Sequence, residues 1–171
     1  QLQTQLSKQL APRSVCLREW TADRKRFLIE VSSSNDPGGF YVVDVAEGKL
    51  IHCGDRAPWL TAERRHFTHA FDFDASDGRR LAGFLTLPRE PRLNPPPVLV
   101  YFHDGPWFAD GPQFNRGAQA LAELGFAVLQ INHRGSGGLG RAHLGATAEG
   151  LDRTVLADVL SVLERTRNGG T

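Results

Sequence analysis

The chain has 171 residues, of which 40% are hydrophobic and 23% charged, a composition typical of a globular protein with a buried core. Its formal net charge of +1 excludes charge as a reason to bind nucleic acid or an anionic membrane surface. No apolar run approaches the roughly 20 residues that a transmembrane helix needs, and the first residues lack the apolar core of a signal peptide. We therefore expect a soluble chain, cytoplasmic or periplasmic, whose oligomeric state the composition leaves open.

The first 65 residues predict a short helix followed by antiparallel strands. Leucines at every fourth position from Leu2 to Leu10 indicate an amphipathic helix that ends before Pro12. Four strand patterns follow, separated by turn-forming stretches such as 35–39: Val15–Trp20, Arg26–Val31, Phe40–Val45 and Leu50–Cys53. Strands of this length and spacing fit one blade of a β-propeller. Cys16 and Cys53 lie in these strands, and we expect both to be buried thiols.

A connector and a hairpin are predicted next. Residues 56–65 show no clean period, whereas 66–74 alternate between polar and apolar side chains as a half-buried strand does. Asp77-Gly78 then turns the chain into a second strand over Leu81–Leu87, which predicts a hairpin. The proline-rich stretch 88–97 predicts a surface loop.

A strand–helix–strand unit follows the proline-rich loop. The apolar runs Val98–Phe102 and Phe126–Ile131 predict strands buried on both faces, and 113–124 between them has helical spacing. Such βαβ units place both strands in one parallel sheet and bind ligands at the carboxyl ends of the strands. We therefore expect the loops 103–107 and 132–140 to lie at the same edge of the sheet.

The last helix is predicted over Leu151–Arg167, where apolar residues recur at helical intervals. Asp158 interrupts its apolar face and is the helix's one unusual feature. The chain contains no methionine and begins with Gln1, so we expect it to be a piece of a longer protein.

The two loops carry a family resemblance. HDGPW at 103–107 resembles the HGGP-type oxyanion loop of the prolyl oligopeptidase family, particularly its acylaminoacyl-peptidase-like branch, and NHRGSGGLG at 132–140 resembles that family's NYRGS-x-GYG loop. The resemblance implies an α/β fold in which 66–171 are the N-terminal portion of an α/β-hydrolase domain. It further implies that 1–65 are an antiparallel segment like the last blade of a β-propeller.

The resemblance also implies site residues. Gly105 corresponds to the second glycine of HGGP, whose backbone N–H is an oxyanion donor in the related peptidases. Asp104 stands at the first glycine, where a carboxylate opposes a developing negative charge. His103, Trp107 and Arg134 are expected to bind substrate or shape the loops, His103 by holding its loop rather than acting as a base. The implied activity is hydrolysis of short peptides through an acyl-enzyme, without a cofactor.

A nucleophile cannot be placed within the sequence. No serine lies in G-x-S-x-G, and Ser136 has Arg134 two positions before it. In α/β-hydrolases the catalytic order is Ser, Asp or Glu, then His. In the family, the serine follows the strand after a helix such as 151–167. We therefore expect the triad to lie beyond Thr171 and the chain alone to have no hydrolase activity.

Two other functions stay open. A non-catalytic relative could use the same scaffold for binding, which Asp104 favours. A dinucleotide-binding module is the other, because Gly135, Gly137 and Gly140 form GxGxxG after a strand, with Asp158 at the distance of a ribose-binding acid. Against the dinucleotide hypothesis, three polar residues separate the strand from the first glycine, and Asp158 lies inside a helical period.

A metal site is disfavoured by spacing. His66 and His69 lie three apart in a predicted strand, so their side chains point to opposite faces and cannot easily share an ion. The sequence thus predicts neither a metal nor a cofactor.

Overall fold

The computed structural model describes residues 2–105, 107–145 and 150–167. The chain divides into two compact units, one of residues 1–67 with 112–116 and the other of residues 68–111 with 117–171. Each unit is built around its own four-stranded sheet. No helix among the described residues is long and apolar enough to cross a membrane.

The first unit is a helix and an antiparallel meander. Its sheet follows the chain in the order β1-β2-β3-β4, and a single 3₁₀ turn, Ala62–Arg64, interrupts the connector after it. The elements are α1 (Leu2–Gln9), β1 (Ser14–Trp20), β2 (Arg26–Ser33), β3 (Asp36–Asp44) and β4 (Lys49–Asp55). These bounds confirm the predicted helix and the existence of the four predicted strands.

The core of this unit lies on one face of the sheet. Ile29 of β2 is fully buried, and Val15, Val31 and Val43 from three strands pack with it and with Leu6 of α1. The residues alternate along β2 because successive side chains of a strand point to opposite faces. The helix is thereby held by its leucine stripe.

The predicted turn at 35–39 is wrong in extent, because β3 begins at Asp36. Asp36 pairs with Ser33 across a register shift, so the chain turns within two residues and returns directly into the sheet. Gly38 permits this, since it has φ +69° and a Cβ there would lie 1.7 Å from the carbonyl oxygen of Val31.

The prediction of buried thiols is also wrong, because Cys16 and Cys53 are both exposed. Val15 is buried and Leu17 packs against the core, so Cys16 between them points to the opposite face of β1. Cys53 lies in β4, the last strand of the sheet order, where every residue but one is exposed. Cys16 thus lies on the solvent face of β1, whereas Cys53 lies in a strand that is exposed on both faces.

The second unit holds the remaining strands in the order β5-β6-β8-β7. Strand β8 pairs antiparallel with β6 and parallel with β7. The elements are β5 (Phe67–Asp74), β6 (Arg80–Leu87), β7 (Val98–Val100), α2 (Arg116–Glu123), β8 (Ala127–Asn132), α3 (Arg141–Leu144) and α4 (Leu151–Arg167). The parallel pairing confirms that the two predicted strands share one sheet.

Strand β8 is the centre of the second core. All six of its residues are buried, as predicted for a strand covered on both faces. On one face, Leu129 and Ile131 pack with Val159 and Val162 of α4. On the other, Val128 packs with small residues of α2. Helices therefore cover both faces of β8, and the ends of this strand rather than its faces reach the surface.

Strand β7 differs from its prediction. It spans only Val98–Val100 instead of Val98–Phe102, and it is not buried on both faces, because Val98 is 46% and Phe102 50% exposed. In the part of the chain that the structure describes, β7 has β8 as its only strand neighbour. The backbone N–H of Tyr101 still bonds the Leu129 carbonyl at 2.8 Å, after which the chain leaves the sheet.

Candidate active site

The loops that follow β7 and β8 meet at one edge of the sheet. His103 Nε2 lies 2.8 Å from Ser136 Oγ. The Gly137 N–H donates to the Phe108 carbonyl oxygen at 3.0 Å. Because β7 and β8 are parallel, their carboxyl ends lie side by side. This confirms the expected common edge.

Gly137 sets how closely the loops approach. A Cβ at this position would lie 2.0 Å from the carbonyl oxygen of Trp107, so only glycine fits. Gly138 has open space around it, but its φ of +75° also favours glycine. The glycines of 135–140 therefore serve loop packing and backbone conformation.

Gly105 lies between these two loop contacts. It is exposed and has φ +58°, and its N–H has no acceptor among the described residues. The Phe108 ring comes within 4.0 Å of the place where a Cβ of Gly105 would lie. A backbone N–H in a loop that follows a parallel strand is a donor that can bind an oxyanion.

The side chains around Gly105 are mostly open to solvent. Asp104 is exposed, and Trp107 and Phe108 are 74% and 64% exposed. Exposed aromatic rings of this size offer an apolar surface in the same loop as Gly105.

Two histidines are stacked beneath the loop. The rings of His103 and His133 lie 4.7 Å apart at 23°. His133 Nδ1 is 2.7 Å from the Arg134 carbonyl oxygen, and since a carbonyl only accepts, Nδ1 carries the proton. Burial lowers the pKa of His133 below its ordinary value, so the ring is held neutral. His143 Nε2 donates to the His133 carbonyl at 2.9 Å.

Arg134 connects three parts of the unit. Its Nε lies 3.0 Å from Asp158 Oδ1, its backbone N–H 2.9 Å from Asp158 Oδ2, and its Nη1 2.7 Å from Asp77 Oδ2. Asp158 is fully buried, and its hydrogen bonds raise the pKa of the Arg134 guanidinium. Asp158, the residue that interrupts the apolar face of α4, is thus paired with Arg134 in the loop after β8. Arg134 also binds Asp77 in the hairpin turn.

Asp77 was interpretable from sequence only as a turn residue. It is half exposed, and its pKa is lowered chiefly by the backbone N–H of Arg79 and further by the charge of Arg134. The 57-residue separation between Asp77 and Arg134 left no local signal for this ion pair.

Sequence reasoning also missed a polar cluster under the first loop. Asn132 Oδ1 accepts from the Asp110 N–H at 2.8 Å, and its Nδ2 donates to the Asp110 carbonyl at 2.9 Å. Gln130 Nε2 donates to Asp110 Oδ1 at 2.6 Å. Two amides at alternate positions of an otherwise apolar strand were the available signal, because buried polar groups need partners.

The Ser136–His103 pair is not an exposed nucleophile and base. Ser136 is fully buried, so its hydroxyl is inaccessible to a substrate. The described residues hold no group of three or more His, Cys, Asp or Glu side chains that could bind a metal. His66 is buried and His69 is exposed.

The geometry opposes a dinucleotide site at 135–140. The N–H groups of Gly135, Ser136 and Gly137 are all donated internally, to the carbonyls of His143, His133 and Phe108, so they cannot cradle a phosphate. Asp158, the candidate ribose ligand, is fully buried against Arg134.

Sequence comparison identifies relatives. The profile of the prolyl oligopeptidase family matches residues 112–170. Dipeptidyl aminopeptidase BIII of Pseudoxanthomonas mexicana is 30% identical over 139 residues, covering 77% of this chain and 20% of that protein. Dipeptidyl peptidase family member 6 of Caenorhabditis elegans is 26% identical over 163 residues, covering 83% of this chain and 22% of that protein. The chain therefore spans about a fifth of the length of these relatives.

Solved structures share the fold. A puromycin-hydrolyzing peptidase of Mycobacterium tuberculosis superimposes with a TM-score of 0.70 at 20% identity, over 85% of this chain and 23% of that one. Pyrococcus horikoshii acylaminoacyl peptidase gives a TM-score of 0.69 at 21% identity, over 90% and 24%. At these identities the likeness concerns the fold alone.

Proposed function

Because the chain belongs to the prolyl oligopeptidase family, we propose that it supplies the oxyanion loop of a serine peptidase. In this proposal, 66–171 are the N-terminal portion of an α/β-hydrolase domain and 1–65 the last blade of a β-propeller. The observation that carries the proposal is that the Gly105 N–H has no acceptor among the described residues and lies in one of two loops that meet at the carboxyl edge of a parallel strand pair.

The chemistry assigned to this chain is electrostatic. Attack of a serine hydroxyl on a peptide carbonyl moves an electron pair onto the carbonyl oxygen, and the Gly105 N–H donates to that oxyanion. One such donor is worth about 2.7–4 kcal/mol of transition-state stabilisation. The nucleophile, its histidine base and the acid come from residues outside the chain. Arg134 acts indirectly, by holding the loop after β8 on α4 and the hairpin turn.

The substrate side of the loop is apolar. A short peptide whose carbonyl is bound by Gly105 lies beside the exposed rings of Trp107 and Phe108, which favour an apolar side chain next to the scissile bond. Asp104 places a carboxylate near the developing charge and is expected to lower the rate relative to glycine.

A fluorophosphonate probe tests the proposal, since it reacts covalently with activated serines. In the full-length protein that carries this chain, we expect stoichiometric labelling of one serine outside these 171 residues, and none in the chain alone. Labelling of Ser136 would show that the active site is misplaced.

The second candidate is a non-catalytic binding protein on the same scaffold, and Asp104 is the observation that favours it. It predicts that the full-length protein binds short apolar peptides but takes up no fluorophosphonate. Turnover of a chromogenic ester would exclude it.

A further inference from the structure

Ser136 is buried, so its hydroxyl can neither attack a substrate nor contact one, and its hydrogen bond needs another explanation. The residue is 0% exposed, and its Oγ lies 2.8 Å from His103 Nε2. A buried hydroxyl needs a partner, and here the partner is the first residue of the loop that carries Gly105.

The loop 103–108 is fastened on both sides of Gly105. At its start, His103 is bonded to Ser136 and stacked on the ring of His133. At its end, the Phe108 carbonyl accepts from the Gly137 N–H. Gly105 itself makes no hydrogen bond to a described residue, so these flanking contacts are what fix the direction of its N–H.

We propose that Ser136 is a positioning residue for the oxyanion loop, acting through His103 to hold the Gly105 N–H in one orientation. The hydrogen bond between Ser136 and His103 can be tested without any activity, whereas its effect on catalysis rests on the proposed function. A donor that is already oriented costs no reorganisation when the oxyanion forms, and a misplacement of 1 Å can cost about 100-fold in rate.

The first test measures the ¹⁵N order parameter of the Gly105 N–H in the 171-residue chain. We expect a rigid value of about 0.85 in the wild type and a fall below about 0.6 in Ser136→Ala. Thr86→Ala is the matched control, because Thr86 is also 0% exposed and its hydroxyl bonds Thr68 at 2.9 Å. The control should leave the order parameter of Gly105 unchanged.

A double-mutant cycle separates positioning from general loosening. If Ser136 acts through His103, then His103→Gln and the double variant should each match Ser136→Ala in the mobility of Gly105. His103→Gln also keeps the test decisive if Ser136→Ala does not fold, since His103 is only half-buried. An unchanged order parameter in the folded variants would overturn the proposal.

The second test is kinetic and uses the full-length protein. Ser136→Ala should lower kcat by about 10- to 100-fold with little change in KM, and Thr86→Ala should change neither. A KM effect alone would contradict positioning of an oxyanion donor. If the wild-type protein itself shows no hydrolysis, the proposed function fails while the order parameter still decides the role of Ser136.

Discussion

Both units contain buried carboxylates bound by arginine, and Glu30 in the first unit and Asp158 in the second differ in their surroundings. Glu30 of β2 is bonded by Arg18 and Arg56, whose side chains are 49% and 32% exposed. Asp158 of α4 is bonded by Arg134, whose side chain is only 12% exposed. The arginines that bind the buried carboxylate are thus partly exposed to solvent in the first unit (a wet pair), whereas the arginine in the second unit is mostly buried (a dry pair).

The difference lies in what each pair connects. Glu30 links a neighbouring strand and the connector to the sheet, where backbone hydrogen bonds already fix the strands. Arg134 links a loop to a helix and a turn that share no backbone ladder, and its main-chain N–H also bonds Asp158. We infer that the second pair contributes more to structure, because no backbone ladder joins those segments and they are otherwise held by core packing of α4 and one bond from the Ser76 N–H to Ser161 Oγ.

Asp158→Asn should therefore have the largest effect on stability. The variant leaves a mostly buried guanidinium with only the half-exposed Asp77 as charge partner, and losing one member of a buried ion pair typically costs about 3–5 kcal/mol. Urea unfolding of the chain measures the loss. Glu164→Gln on the same helix is the control, because Glu164 is exposed and its removal should cost under about 0.5 kcal/mol. Equal effects for the two variants would mean that the Arg134 pair is not structural.

Glu30→Gln should cost less, about 1–2 kcal/mol. The amide retains hydrogen-bonding atoms, and the partly exposed Arg18 and Arg56 can turn to water when the charge is lost. The same urea titration measures this loss. Salt at about 1 M should weaken the ion pairs of Glu30 in the wild type and so reduce the difference in unfolding free energy between wild type and variant. A loss matching that of Asp158→Asn would refute the distinction between a wet and a dry pair.

These contrasts show what local sequence could predict. The βαβ unit and the burial of β8 follow from apolar runs and helical spacing, which are local patterns. The partners of Arg134 are Asp158 and Asp77, which lie 24 and 57 residues away, and their pairing depends on how the chain packs. The length of β7 depends on whether a strand lies beside it, and the exposure of Cys16 depends on which face of its sheet is covered.

The candidate site was predictable only in part, for the same reason. Motif resemblance indicated the two loops and Gly105 within them, and the parallel strands brought the loops together. The bond between His103 and Ser136 joins residues 33 apart, and no spacing rule indicated it.

The smallest expected effect is a pH dependence that arises in the second unit, at His133. His133 has a pKa lowered mainly by burial, with His103 and His143 adding to the shift and Asp158 opposing it. As pH falls through 6.5, the ordinary value, the unfolded chain binds a proton at this position and the folded chain resists it. The contribution of His133 to the free energy of unfolding is therefore fully present above that pH. Below it the contribution declines, by at most about 1.4 kcal/mol per pH unit for one group.

The difference between wild type and His133→Asn isolates this contribution. Urea unfolding at pH 7.5 and 5.5 should show a larger loss for wild type than for the variant, because the other titrating groups cancel in the comparison. The carboxyl of Asp77 does not interfere, since its lowered pKa acts only below its ordinary value of 3.8. A wild-type protein that gains stability on acidification relative to the variant would mean that His133 is stabilised as a cation, and the stacked pair beneath the loop would then carry charge.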